Sequence, residues 1–324
     1  MSTHSSLRPE LTIIVVSYNT KEMTLDCLRS IKSQTISNYE VIVIDNASKD
    51  GSADAIAAEF PEFVFIKSQT NHGFAKANNL AAQKARGKYL LLLNPDTVVL
   101  DGAIDKLLEF AHQRPEAKIW GGRTLYGDRS LNPTNCWRRM TMWGLTSQVL
   151  GLNSIFRNSE FFNSENYGGW QRQDEREVDI VTGCLLLIER SFWERLGGFD
   201  LTYHMYGEEA DLCLRARKLG ARPRVTPNAE IVHYKGASEV VRADKMVRLM
   251  RGKITLIEDH FGPFTRPFAH SLFRLWPLSR KIYCFMLGRV DASKTWGEVW
   301  RRRNEWRSGW PRTVPAMVRQ DNEG

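Results

Sequence analysis

Four short polar stretches of this 324-residue chain hold the side chains best suited to chemistry. Asn94, Pro95 and Asp96 come directly after four leucines. A carboxylate leaving the end of a buried strand can hold Mg2+ or Mn2+, hard cations that take few protein oxygens alongside the phosphates of a bound nucleotide. The competing reading is a Pro-Asp turn that only ends the strand. Asp45 ends another apolar run, where its carboxylate could accept from the imide N–H of uracil or thymine, or simply close an Asx-turn. Glu208, Glu209 and Asp211 open a helical pattern, a placement the helix dipole alone would favour. Asp211 and Arg215 stand i,i+4 and could merely pair. Glu208 and Glu209 precede that pair, and a carboxylate there could accept the proton of an attacking sugar hydroxyl. His233 ends a further apolar run, with Lys235 close behind to neutralise phosphate. A lone histidine is more often structural, but with Asp96 it would make a metal site with positions left for pyrophosphate oxygens.

The elements that must position these groups follow from patterning. Leu11–Ser17, residues 41–44, 63–66 and 89–93 are short apolar runs, rich in β-branched residues or leucine, and each ends in turn-forming residues. Helical spacing links them at residues 24–33, 53–60 and 75–86, the last stopped by Gly87. Strands apolar on both faces, alternating with helices, imply a mostly parallel α/β sheet flanked by helices, with ligands at the carboxyl ends of the strands. Further on, the pattern predicts a helix over 101–118, an irregular and partly mobile segment over 127–174 near the acceptor, a strand over 178–188, a helix over 208–219 closed by Gly220, and a strand over 225–234.

Bulk composition sets the limits. Hydrophobic content of 42% and charged content of 25% suit a globular protein. Five cysteines without zinc-ligand spacing or a secretion signal argue against a disulfide framework and for a reducing cytosol. No apolar segment is long enough for a transmembrane helix. The net charge of +8 is concentrated in residues 263–320, leaving the rest near neutral.

Taken together, VVSYN at 15–19, VIDNASKDGS at 43–52, NHGFAKANN at 71–79, LLNPDT at 92–97, TGC at 182–184, GGFD at 197–200, YGEEADLCLR at 206–215 and HYKG at 233–236 closely resemble family 2 glycosyltransferases. The nearest branch is the rhamnosyltransferase type acting on bacterial surface polysaccharides. The resemblance covers residues 11–262 and implies a GT-A fold, an inverting displacement, a divalent metal (Mg2+ or Mn2+) and a nucleotide-sugar donor carrying UDP or dTDP. It further implies a saccharide or lipid-linked saccharide acceptor. On it, Ser17, Tyr18 and Asn19 line the nucleotide pocket, Asp45 meets the pyrimidine with Asn46 also in the binding site, and Asn71, Gly73, Phe74 and Asn78 lie near ribose and donor sugar. Asp96 binds the metal with His233 as second ligand, beside Asn94 and Pro95, and Lys235 assists at the diphosphate. Asn94 replaces the first carboxylate of the DxD-like motif, so Asp96 acts largely alone. The catalytic base falls in the pair Glu208-Glu209, with Glu209 at the position usually held by the base.

The expected organisation is a flexible segment over 1–10, a catalytic domain over 11–262 divided near residue 100 into nucleotide and acceptor halves, and a helical, basic, tryptophan-rich tail over 263–324. Basic amphipathic helices with tryptophan suit an anionic membrane interface, which would place the protein on the inner face of the cell membrane through residues 263–312. The plainer alternative is a helical subdomain packed on the core. Two rival functions stand beside the transferase. A nucleic-acid-binding protein is disfavoured by the neutral core and the lack of a recognised module. A sugar nucleotidyltransferase would carry a glycine-rich loop where Ser17-Tyr18-Asn19 stands.

Overall fold

A computed structural model describes residues 8–234 and 242–312 of the chain. Its first part alternates strand and helix: β1 (Leu11–Ser17), α1 (Lys21–Gln34), β2 (Tyr39–Asp45), α2 (Ser52–Glu59), β3 (Val64–Lys67), α3 (Gly73–Ala82), β4 (Tyr89–Leu93), β5 (Thr97–Val99), α4 (Ala103–Gln113) and β6 (Ile119–Leu125). Short elements follow, β7 (Leu131–Asn132), β8 (Cys136–Trp137), α5 (Met142–Val149), α6 (Leu152–Ile155), β9 (Arg176–Glu177) and β10 (Ile180–Val181). Then come β11 (Leu185–Glu189), α7 (Arg190–Leu196), α8 (Glu208–Lys218) and β12 (Arg224–His233). The remaining described residues form α9 (Arg242–His260), α10 (Arg266–Met286), α11 (Val290–Arg301) and α12 (Arg303–Trp306).

The main sheet has the order β3-β2-β1-β4-β11-β6-β12-β5, with β7 on β6 and β9 on β12. β1 is parallel to β2 and β4, β2 to β3, and β6 to β12. β11 runs antiparallel between β4 and β6, and β5 runs antiparallel along the edge of β12. The C-terminal ends of β1, β2, β4 and β12 therefore point the same way. Successive residues of a strand face opposite sides, so β1 feeds two cores. Leu11, Ile13 and Val15 pack with Leu28 and Ile31 of α1 and Leu107 of α4, whereas Ile14 and Val16 join Ala77 of α3 and Leu212 of α8. This is why the strands read as continuously apolar.

Three differences from the sequence reading have clear causes. The strand expected over 178–188 is broken: β10 pairs with β8, β11 joins the main sheet, and residues 182–184 turn between them. The Thr182 hydroxyl bonds the carbonyls of Thr134 and Asn135 instead of continuing a ladder. The helix expected to reach residue 118 stops at Gln113, just before Pro115 opens a separate short turn. β6 went unread because two glycines and an arginine interrupt its apolar residues, yet both glycines are required. A Cβ on Gly121 would lie 2.5 Å from a Val181 methyl, and one on Gly122 would lie 2.2 Å from the Ala229 carbonyl oxygen. The 127–174 segment is anchored by Arg172, a buried guanidinium bonded to the carbonyls of Pro133, Asn166 and Trp170.

The last helices share a third apolar cluster with α5, in which Met250, Ile254 and Ile257 of α9 meet Phe273, Val299 and Trp306. Trp276 and Trp296 pack against it with ring centroids 5.2 Å apart. These tryptophans face inward, contrary to an interfacial role for them.

Candidate functional site

Most of the polar positions singled out above lie along the rim formed by the ends of β1, β2, β4 and β12. At its centre Asp96 Oδ1 lies 3.3 Å from His233 Nε2, and the Asn94 side-chain nitrogen lies 3.5 Å from the same ring atom. The pairing of β5 with β12 brings them together. Thr97 stands opposite His233, and the Tyr234 N–H donates to the Asp96 carbonyl at 3.0 Å. The Thr97 hydroxyl in turn donates to the Asn94 carbonyl at 2.7 Å, fixing the turn through Pro95. Burial alone would pull the His233 imidazole down, but Cys184 and Asp96 beside it outweigh burial and push it up to about 10. Among the described residues its buried Nδ1 has no partner. Ligation needs the neutral imidazole, so a cation entering here would displace a proton from the ring. One carboxylate, the neutral imidazole and an amide oxygen are then a donor set that Mg2+ or Mn2+ accepts. Among the described residues no group of three or more His, Cys, Asp or Glu side chains converges. A cation held here would complete its shell with phosphate or water oxygens.

Asp45 sits two strands away on the same rim, 1% exposed. Its Oδ2 accepts from the Ser48 N–H at 3.1 Å, so the Asx-turn is real, while Oδ1 is buried and has no partner among the described residues. Asn46 braces the neighbouring loop: its amide nitrogen donates to Asn71 Oδ1 at 2.9 Å and to the Gly73 carbonyl at 3.2 Å, and its Oδ1 accepts from the His72 N–H at 2.8 Å. Gly73 needs its freedom, with φ at +73°. Asn19, also left-handed at φ +52°, ties the loops after β1 and β2 by donating its N–H to Ser48 Oγ and accepting from the Lys49 N–H. Tyr18 is exposed between them.

Two further positions turn inward. The Ser17 hydroxyl is buried 3.0 Å from Thr24 Oγ1, and the Asn78 amide bonds back to the Phe74 carbonyl within α3. The Phe74 ring closes the rim from the other side, against Gly183 and Phe199.

α8 brings the carboxylate pair. Tyr206 at φ +68° and Gly207 at φ +106° swing the chain into it, and α9 approaches so closely that a Cβ on Gly252 would lie 2.0 Å from the Tyr206 carbonyl oxygen. One turn in, the Cys213 thiol accepts from the Val181 N–H at 3.5 Å, which docks α8 beneath the 182–184 turn. That turn carries Cys184 to His233 and Gly183 to Phe74, joining α8 to the rim. Glu208 is 5% exposed, and its Oε2 has no partner among the described residues. Burial, and then the charge of Glu209, holds its carboxyl well above the usual range. Glu209 is half-buried, and burial raises its carboxyl too. Both sit at the positive end of the helix dipole, so burial outweighs the dipole here. Asp211 is structural, bonded to Arg215 at 2.7 Å and His260 at 2.9 Å. Lys235 lies outside the described residues.

The sequence profile of Glycosyl transferase family 2 matches residues 12–196. The chain is a family 2 glycosyltransferase. Among curated relatives, it is 28% identical over 246 residues to an N-acetylglucosaminyl-diphospho-decaprenol L-rhamnosyltransferase of Mycobacterium tuberculosis, covering 70% of this chain and 77% of that one. It is 28% identical over 236 residues to the rhamnosyltransferase WbbL of Escherichia coli, covering 68% and 82%. Among solved structures, the mannosyltransferase PcManGT of Pyrobaculum calidifontis, in complex with GDP-Man and Mn2+, superposes with a TM-score of 0.55 at 18% identity, covering 92% of this chain and 76% of that one. S. aureus TarS, in complex with UDP-GlcNAc, gives a TM-score of 0.52 at 13% identity, covering 92% and 89%. The fold is GT-A, and the transferase belongs with rhamnosyltransferase-like members of its family.

Several contacts that shape this transferase were not read from the sequence. Asn79 clamps the 197–200 turn to α3, donating to the Phe199 carbonyl and accepting from its N–H, both at 2.9 Å. Arg215 holds the same turn through the carbonyls of Leu196 and Gly198. Cys184 flanks His233. Asn79 and Cys184 stand at the ends of two of the quoted motifs, and that placement was the available signal.

Proposed function

We propose that the enzyme transfers a sugar, with inversion, from a UDP- or dTDP-sugar to a hydroxyl of a saccharide or lipid-linked saccharide in the synthesis of a cell-surface polysaccharide. The observation that carries this reading is the meeting of Asp96 and His233 on the rim that also holds the unpartnered Asp45 oxygen. The names of the M. tuberculosis and E. coli relatives support a rhamnosyl donor, and the first also supports a lipid-linked acceptor. A peripheral membrane contact within residues 263–312 fits such an acceptor.

In this mechanism Asp45 Oδ1 accepts the imide N–H of the pyrimidine, and the 71–73 loop braced by Asn46 supports the donor. Asp96 and His233 would hold Mg2+ or Mn2+, and the cation would supply charge to offset the negative charge developing on the departing diphosphate. Glu209, half-exposed where Glu208 is enclosed, takes the proton from the acceptor hydroxyl. The hydroxyl oxygen attacks the anomeric carbon from the face opposite the diphosphate, the bond to the diphosphate oxygen breaks, and the configuration inverts. Burial makes Glu209 a stronger base than a free carboxylate, which suits proton acceptance near neutral pH.

A panel of UDP-, dTDP- and GDP-sugars, assayed for binding and slow hydrolysis with and without Mn2+ or Mg2+, tests the proposal. Pyrimidine donors are expected to bind and to be consumed. Preference for GDP-sugars, or binding of no nucleotide sugar, would overturn it.

A further inference from the structure

α10 is apolar on two opposite faces. Its inward face buries Ala269, Phe273, Pro277 and Cys284. A helix at the surface of a globular protein normally turns polar side chains outward. α10 instead leaves Phe268 66%, Leu275 47%, Ile282 50%, Phe285 71% and Met286 70% exposed, with Phe264 89% exposed just before its first turn. These positions follow one another at helical spacing, so from Phe268 to Met286 they form one stripe about 27 Å long. Isolated exposed apolar residues are ordinary, but a continuous stripe of large ones marks an interaction surface.

The charge around the stripe identifies its occupant. Residues 261–290 contain Arg266, Arg274, Arg280, Lys281 and Arg289 and no Asp or Glu. Arg274, Lys281 and Arg289 are exposed, and among the described residues none of the three pairs with a carboxylate. Two copies of this chain meeting through α10 would set like charges against each other. No described helix is long and apolar enough to cross a membrane, so the surface suits contact in the plane of the interface.

We infer that the outward face of α10 seats the enzyme on an anionic bilayer. Phe268, Leu275, Ile282 and Phe285 enter the headgroup boundary, and Arg274, Lys281 and Arg289 meet lipid phosphates. This specifies the membrane contact proposed above, but it rests on exposure and charge and not on the transfer reaction.

The test is co-sedimentation of the full chain with phosphatidylcholine vesicles, with and without phosphatidylglycerol. The wild type should bind the anionic vesicles and release them in high salt. The double variants Ile282→Glu/Phe285→Glu and Arg274→Glu/Lys281→Glu should bind about tenfold more weakly or less, because each removes apolar insertion or charge attraction. Both should keep the slow hydrolysis of nucleotide sugar. Ile282→Glu/Phe285→Glu should also keep the wild-type unfolding temperature, since its altered side chains are exposed, whereas Arg274→Glu/Lys281→Glu gives up one contact of Arg274 with the Arg307 carbonyl. The inference fails if wild type ignores both vesicle types, if the variants bind as wild type does, or if the substitutions only dissolve a self-association without lipid binding. Vesicle binding without any nucleotide-sugar hydrolysis would count against the proposed reaction and leave this inference standing.

Discussion

Replacing Asp45 by Asn alters one atom of a fully buried side chain and asks directly how the nucleobase is held. In the free enzyme Oδ2 is engaged by the Ser48 N–H, and Oδ1 has no partner although it is out of contact with solvent. A buried acceptor in that state costs about 1–3 kcal/mol, and an incoming imide N–H would relieve the cost with a charge-assisted bond worth about 1.5–3 kcal/mol. At 1.4 kcal/mol per tenfold, losing that bond weakens UDP or dTDP binding by roughly 10- to 140-fold. Asn can keep the Ser48 contact through its oxygen, which turns its NH2 toward the ligand. Donor then faces donor for uracil and thymine, but donor faces acceptor for cytosine N3.

The variant should therefore lose UDP and dTDP while holding or gaining CDP, so the ratio of affinities reports recognition and cancels any general damage to the pocket. Calorimetric titration with UDP, dTDP, CDP and GDP measures it, and thermal unfolding checks that the fold persists. Equal affinity of the two proteins for UDP would refute the assignment of Asp45 to the base. So would a parallel loss of UDP and CDP.

Asp96→Ala should abolish the gain in UDP affinity that Mn2+ confers, roughly tenfold or more, while leaving the affinity measured in chelator unchanged. Glu209→Gln should retain donor binding and slow transfer by about 10²- to 10⁴-fold. Because the carboxylate is the working form and burial raises it, wild-type transfer should fall as pH drops through a value above the ordinary glutamate pKa of about 4.3. Normal transfer by Glu209→Gln with loss in Glu208→Gln would reassign the base. Glu208 also affects stability. Its folded pKa is raised, so its contribution is intact below the unfolded pKa of about 4.3 and is lost as pH climbs toward the folded value. Glu208→Gln should accordingly raise the urea midpoint at about pH 8 and change it little at about pH 4.

The first hundred residues declared their architecture because β1, β2 and β4 are buried on both faces, which leaves an unbroken apolar run bounded by turn residues. The same logic failed where burial is achieved without apolar side chains. β6 is occupied by glycines because Val181 and the Ala229 backbone leave no room for a Cβ. β5 is three residues long and exists only through its pairing with β12. Placement of Asp45, Asp96 and His233 on one rim was legible, since Asp45 and His233 end strands and Asp96 lies in the turn directly after β4. The inward turn of Ser17 and Asn78 was not, because a hydroxyl or an amide can face either way until Thr24 or the preceding helical turn offers a partner. The tail shows the same limit. Its basic and aromatic composition was plain, but only packing decides that Trp276, Trp296 and Trp306 go inside while Phe268, Ile282 and Phe285 stay out.

How Asp96 reaches His233 is a question of sheet geometry. Only three residues separate β4 from β5, so at about 3.5 Å per residue their facing ends lie within about 14 Å. Yet β11, β6 and β12 lie between them in the sheet order, and four strand spacings of about 4.8 Å in a flat sheet would require about 19 Å. The sheet must curl so that its far edge returns toward the end of β4. The register break in β12 between Val225 and Glu230 supplies a bend on the strand that carries His233. The position of the Asp96–His233 pair on the rim thus depends on strand curvature as much as on residue identity. The pairing of β5 with β12 holds the two together, and a substitution that straightened β12 would draw both away from the end of β4 without touching either.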